Sequence, residues 1–241
     1  MLIAAAVCPH PPALVPELSG GYAPDLDGLR AACDTAIERL YAGKPDVLVI
    51  VGGSDADNAG WRYPLSASFQ PYGIELAVDV AEDMGNAAMP LSLLVAGWLL
   101  RERSVEDPAR AAFGTPPGRS AGFYAELGGR VSNLAPRTAM LVMGDGSACR
   151  SVRAPGHFDE RAEEYDRGVA AALAGGDHQG LAALDADVSA ELSVAGRGAW
   201  QVLAGGAAAA VKESGRKFVS ELLYDEAPYG VGYFVASWAG E

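Results

Sequence analysis

The sequence predicts an α/β sandwich: a single domain over residues 1–241, with a mixed central sheet and helices on both of its faces. Three observations lead there. Two continuous apolar runs, "DVLVIV" at 46–51 and "TAMLVM" at 138–143, fit central parallel strands covered on both sides. Strand and helix patterns alternate along nearly the whole chain. No internal repeat, low-complexity tail or linker divides it. The length of 241 residues, half of them hydrophobic, is enough to bury a full core.

The elements follow in order. Residues 2–7 read as a buried first strand. Pro9, Pro11 and Pro12 then force an extended loop around His10, because each proline fixes its own φ and disfavours helix at the residue before it. Residues 25–41 read as an amphipathic helix with Leu26, Leu29, Ala32, Cys33, Ala36, Ile37 and Leu40 on one face. Lys44 and Pro45 end it. The strand at 46–51 opens into "GGSDADNAG", a loop by composition. Residues 65–69 and 74–78 are strands separated by Pro71, Tyr72 and Gly73. Residues 90–103 form a helix with proline at its start, and 120–134 form another. The strand at 138–143 opens into "GDGSACRS". Helices follow at 158–174, 179–184 and 194–214. Gly196, Gly198, Gly205 and Gly206 weaken the last of these. Strands at 218–224 and 231–237 close the chain. Aromatic residues are few and alanine is abundant, which predicts close helix packing through small side chains.

The net charge of −13 argues against nucleic acid and anionic membranes as partners, since both are negative. Cys8, Cys33 and Cys149 are far apart, and no C-x-x-C occurs, so neither a zinc knuckle nor a disulfide frame is expected. A reduced, cytoplasmic setting is the default. The first apolar run has no basic segment before it and is too short for a signal peptide or a membrane span. The apolar helix near residues 91–100 is also too short, and Arg101, Glu102 and Arg103 follow it.

In α/β sheets, ligands bind beyond the carboxyl ends of the strands. Three loops leave such ends, at 8–17, 52–60 and 144–150, and are expected to wall one pocket. They carry His10; Ser54, Asp55 and Asp57; and Asp145, Ser147 and Cys149. A loop histidine can be a metal ligand or a simply hydrogen-bonded side chain. The acidic and hydroxyl residues can form turns or hold a cation or a substrate hydroxyl. Neither glycine-rich loop has the spacing of a phosphate or dinucleotide loop. No G-x-S-x-G is present, and His157 and His178 lie in polar turns. A metal-free hydrolase or transferase would have to use Asp145, Ser147 or Cys149.

Several segments, in order, resemble the class III extradiol ring-cleavage dioxygenases, in their catalytic B-subunit (LigB-type) domain, and its Memo-like relatives. "PHPP" at 9–12 followed by "VPE" resembles that family's opening, and "FQPYGIEL" at 69–76 its middle segment. "MGDGSACRS" with "PGHFDERAEEYD" resembles its loop and helix before the last third, and "YDEAPYGVGYFVASW" at 224–238 its last hairpin. The resemblance implies the α/β fold above. It also implies ferrous iron on two histidines and a carboxylate, with open positions for a catecholate and dioxygen.

His10 falls on the first of those ligands. Gly53, Ser54 and Asp55 stand where the family has a Ser-Pro-His-like turn. Asp83, Met84 and Gly85 stand where it has Asp-His-Gly ahead of a Pro-Leu helix start, here Pro90 and Leu91. Gly144, Asp145, Gly146 and Ser147 lead to Ala148 where it has histidine. The late carboxylate falls between 191 and 198: Glu191 is the nearest carboxylate, or Ala195 takes the ligand position itself. Ser54, Asp83 and Tyr229 are expected in the cleft.

One imidazole does not hold ferrous iron against water, because affinity comes from several ligands in fixed geometry. The expectation is therefore a LigB-like protein stripped of most metal-site histidines. It would be a non-dioxygenase scaffold or an enzyme of altered chemistry, working without a cofactor on a small aromatic or polar molecule. The alternative is a metal-dependent dioxygenase opening a catecholic ring, with Fe(II) or Zn(II) on His10, Asp55 and a late carboxylate. A homodimer fits the alanine-rich helices.

Overall fold

The computed structural model of the chain describes residues 1–19, 24–54, 65–81, 89–103 and 108–241. Among these, β1 (Leu2–Cys8), β2 (Val47–Gly53), β5 (Ala109–Thr115), β6 (Thr138–Met143), β7 (Phe218–Glu226) and β8 (Tyr233–Gly240) form a sheet in the order β5-β2-β6-β1-β8-β7. The first four strands run parallel. β8 pairs antiparallel with β1, and β7 antiparallel with β8. A separate antiparallel pair, β3 (Leu65–Ser68) and β4 (Ala77–Ala81), lies beside it. The α/β sandwich with a mixed central sheet is thus what the chain forms.

Helices cover both faces. On one side lie α1 (Asp27–Ala42) and α2 (Leu91–Leu99), packed on Ala6, Leu48, Ile50 and Leu141. On the other lie α3 (Ala121–Val131), α4 (Ala162–Gly175) and α7 (Arg197–Ser214), packed on Ala5, Val49, Val51, Met140 and Val142. Successive residues of β2 and β6 therefore point into different cores. That two-sided burial is the physical reason for their unbroken apolar runs.

The differences from the sequence reading have causes. Strand β5, "ARAAFGT", has no predicted counterpart. It is an alanine-rich edge strand with an arginine at its second position, and alanine has weak strand preference. Arg110 is nevertheless buried, donating to the carbonyls of Arg103 at 2.9 Å and Asp79 at 3.3 Å. Helix α4 starts at Ala162 rather than near residue 158, because Asp159 accepts from the Arg161 N–H at 2.9 Å and turns the chain first. The short helices α5 (His178–Ala182) and α6 (Ala186–Glu191) are each capped by an aspartate. Asp177 accepts from the Gln179 and Gly180 N–H groups, and Asp185 from those of Asp187 and Val188. Only the first of these two helices is expected from the sequence.

Helix α7 begins at Arg197 and keeps its glycines for a packing reason. A Cβ on Gly205 would lie 2.3 Å from the Ala125 carbonyl oxygen, and one on Gly128 would lie 2.0 Å from that of Val202. The missing side chains let α3 and α7 pack backbone to backbone. No helix among the described residues is long and apolar enough to cross a membrane.

Candidate functional site

β1, β2 and β6 are parallel neighbours, so their carboxyl ends meet. Cys8 pairs with Met143, and Gly52 pairs with Met143 from the other side. The loop after β6 ties this end together. Gly144 donates to the Cys8 carbonyl at 2.9 Å, and Gly196, just before α7, donates to the Asp145 carbonyl at 2.8 Å. Gly146 donates to Gly232 at 2.7 Å, which brings in the turn between β7 and β8.

That loop holds the first histidine in place. The Asp145 carboxylate accepts the His10 backbone N–H at 2.7 Å, and the same oxygen lies 3.5 Å from His10 Nδ1. Nδ1 is buried and makes no hydrogen bond among the described residues. The proline on each side of His10 explains the rigidity, since Pro11 is extended and Pro12 starts a helical turn. His10 and Asp145 are thus brought together from positions 135 residues apart.

His10 forms part of the wall of a cavity of about 460 Å³ at this end of the sheet. Ser54 is in the wall and almost wholly buried. Ser92, at the start of α2, donates to the Gly53 carbonyl at 2.7 Å and closes one side. The remaining wall includes Thr115 at the end of β5, Tyr124 of α3, Ser189 of α6, Ala195, and Arg197 of α7. Burial pushes the Tyr124 hydroxyl up from its ordinary value, and it donates to the Pro116 carbonyl. Ser189 Oγ lies 2.6 Å from the Tyr165 hydroxyl. The expectation of three loops walling one pocket needs correcting. The first two loops contribute His10 and Ser54, while the third stands behind His10, and β5, α6 and α7 supply the other side.

The other expected site residues separate. Ser147 is fully buried behind the wall. Its hydroxyl donates to Leu192 at 3.1 Å and accepts from the Cys149 N–H at 3.0 Å, so it fastens the turn and has no access to a substrate. Cys149 is buried against the Gly156 carbonyl at 3.2 Å. Glu191 is 56% exposed and paired with Arg161 at 2.7 Å, on the outside of the fold. Tyr229 is 41% exposed and is not part of the cavity wall, whereas Ala195 is. Asp55, Asp57, Asp83 and Met84 lie outside the described residues. Thr115, Tyr124, Ser189 and Arg197 were missed. For Arg197 the sequence signal is an arginine set among small residues and a tryptophan at a helix start, "AGRGAWQ".

The described donors do not fit a ferrous or zinc centre. No group of three or more His, Cys, Asp or Glu converges among the described residues. A facial or tetrahedral protein site needs at least three such ligands. The nearest arrangement is the His10–Asp145 pair, and there the carboxylate is already engaged by the His10 backbone.

The packing of the thiols gives a direct expectation. Cys8, Cys33 and Cys149 are all buried. An alkylating agent at neutral pH should label the native chain at least ~100-fold more slowly than the urea-unfolded chain, because access as well as thiolate character limits the reaction. Rapid labelling of native Cys149, read by peptide mass, would contradict this placement.

No family model matches the sequence, and no curated protein matches it. Among solved structures, the crystal structure of an uncharacterized protein from Escherichia coli K12 is similar. It is 12% identical, with 99% of this chain and 100% of that chain covered at a TM-score of 0.51. At that identity the likeness speaks for a shared fold, and the chemistry of this chain has to be argued from its own residues.

Proposed function

We propose that the chain is a LigB-like protein that no longer cleaves aromatic rings. In this reading it binds a small aromatic or polar molecule in the cavity beside His10. The observation that carries the reading is the pairing of His10 with Asp145 at the edge of a cavity of about 460 Å³. Asp145 fixes the His10 backbone and lies 3.5 Å from Nδ1, and an imidazole at a cavity wall can accept or donate a proton. Apolar wall residues such as Leu91 and Val194 suit a ring or short chain, and the hydroxyls of Ser54 and Thr115 suit its polar substituents.

Ring cleavage by this family's chemistry requires a metal that binds both the catecholate and dioxygen. His10 and Asp145 alone do not make such a site. The binding reading keeps the cavity and His10 and discards the redox step.

Metal analysis and calorimetry on untagged protein test it. The expected result is less than stoichiometric iron and zinc, no ring-opened product from catechol in air, and measurable binding of catechol. His10→Ala should weaken that binding by about tenfold, the worth of one good hydrogen bond. Stoichiometric iron that disappears in His10→Ala, together with ring opening, overturns the proposal in favour of the metal-dependent alternative.

A further inference from the structure

Arg197 is 6% exposed and lines the cavity. Its guanidinium makes two hydrogen bonds, to Gln201 Oε1 at 2.9 Å and to the Arg119 carbonyl at 3.0 Å, and it lies 5.4 Å from the Tyr124 ring centroid. Both hydrogen-bond acceptors are neutral. A guanidinium has five N–H donors and is always charged, so this cation keeps donors to spare and has no carboxylate partner among the described residues. Asp187 also lines the cavity, but it is exposed on α6 and makes no ion pair with Arg197. Buried charges are ordinarily paired, because an unpaired charge loses its hydration for nothing.

A second feature points the same way. Arg197 is the first residue of α7, which is 18 residues long, and Ala195 and Gly198 flank it in the cavity wall. The N-cap, Gly196, offers no side-chain hydrogen bond, and the first turn contains no acidic residue. The positive end of the helix dipole therefore faces the cavity without the carboxylate that usually sits there.

We infer that the cavity takes a small organic acid, with its carboxylate on Arg197 and the first turn of α7. This rests on the cavity being a small-molecule site. One guanidinium charge matches one carboxylate, and the planar fork matches its two oxygens. A phosphate dianion would bring more negative charge than Arg197 balances, with Asp187 already in the wall.

Calorimetric titration of the full chain with benzoate and benzamide tests the inference, because the two share a shape and differ in charge. Benzoate should bind at least ~tenfold more tightly than benzamide, the scale of one charge-assisted hydrogen bond. In Arg197→Gln the preference should vanish, the benzoate and benzamide affinities coming to within about twofold of each other. Because Arg197 also holds Arg119 and Gln201, a second variant leaves it in place. Ala195→Asp puts a carboxylate at an exposed position in the wall and should weaken benzoate about tenfold more than it weakens benzamide. Inorganic phosphate binding more tightly than benzoate overturns the choice of carboxylate. Equal binding of benzoate and benzamide overturns the inference and leaves the proposed function standing. Failure of benzoate, benzamide and catechol alike overturns both.

Discussion

Gly128→Ala is expected to lower the unfolding free energy by about 3 kcal/mol, at the upper end of overpacking costs. The added Cβ would fall 2.0 Å from the Val202 carbonyl oxygen and 2.8 Å from the Gly206 nitrogen. Both are backbone atoms of α7, so no side chain can rotate away, and α3 and α7 must move apart. That separation would open the core at Leu127, Val131, Val202 and Leu203. Gly129 is the matched control. It is the next residue of α3, and a Cβ there meets nothing within 4 Å. Gly129→Ala should stabilise the chain by roughly 0.5–1 kcal/mol, because alanine loses less backbone entropy in a helix. Urea unfolding of the two variants gives the comparison, and shifts of the same sign would rule out the close α3–α7 contact.

Asp166→Ala is expected to cost about 3 kcal/mol or more. Asp166 is 1% exposed, and it receives the Ser147 N–H at 2.8 Å and the Arg150 guanidinium at 3.0 Å. Gly146 and Gly232 press against its carboxylate so closely that a Cβ on either would collide with it. Removing the carboxylate orphans a buried N–H and an arginine at once, and loosens the loop that presents Asp145 to His10. A weaker catechol affinity should accompany the loss of stability.

Burial pushes the Asp166 carboxyl up from its ordinary value of 3.8, and the Ser147 N–H and Arg150 only partly oppose it. The folded chain thus holds this proton more tightly than the unfolded chain does. The corresponding stabilisation is present below pH 3.8 and is lost as pH rises through the raised folded value. Asp166→Asn keeps an acceptor for Ser147 and cannot ionise, so its stability should lack that decline. Parallel pH profiles for wild type and Asp166→Asn would count against the assignment.

What could be read from the chain alone follows from local pattern. The central strands β2 and β6 are buried on both faces, so their apolar character is continuous and visible. The prolines around His10 mark a rigid loop wherever the chain goes next. The edge strand β5 was not visible, because edge position lets a strand be made of alanines and an arginine. The glycines of α7 argued against a helix on intrinsic preference, and packing against α3 overrode that preference.

The candidate site divides in the same way. Residue types and loop order determined that His10, Ser54 and Asp145 stand at strand ends, and that Asp55, Met84 and Ala148 stand where the resemblance leads one to expect histidines. Tertiary structure alone decided that Asp145 faces His10 while Ser147, two residues on, is sealed inside, and that Glu191 turns out to Arg161. It also decided that Arg197 is a buried cation in a cavity wall rather than a solvated helix residue. The physical reason is range. Strand and turn preferences act over a few neighbouring residues, whereas a side chain's partner and its access to solvent depend on segments tens of positions away, and 135 away for His10 and Asp145.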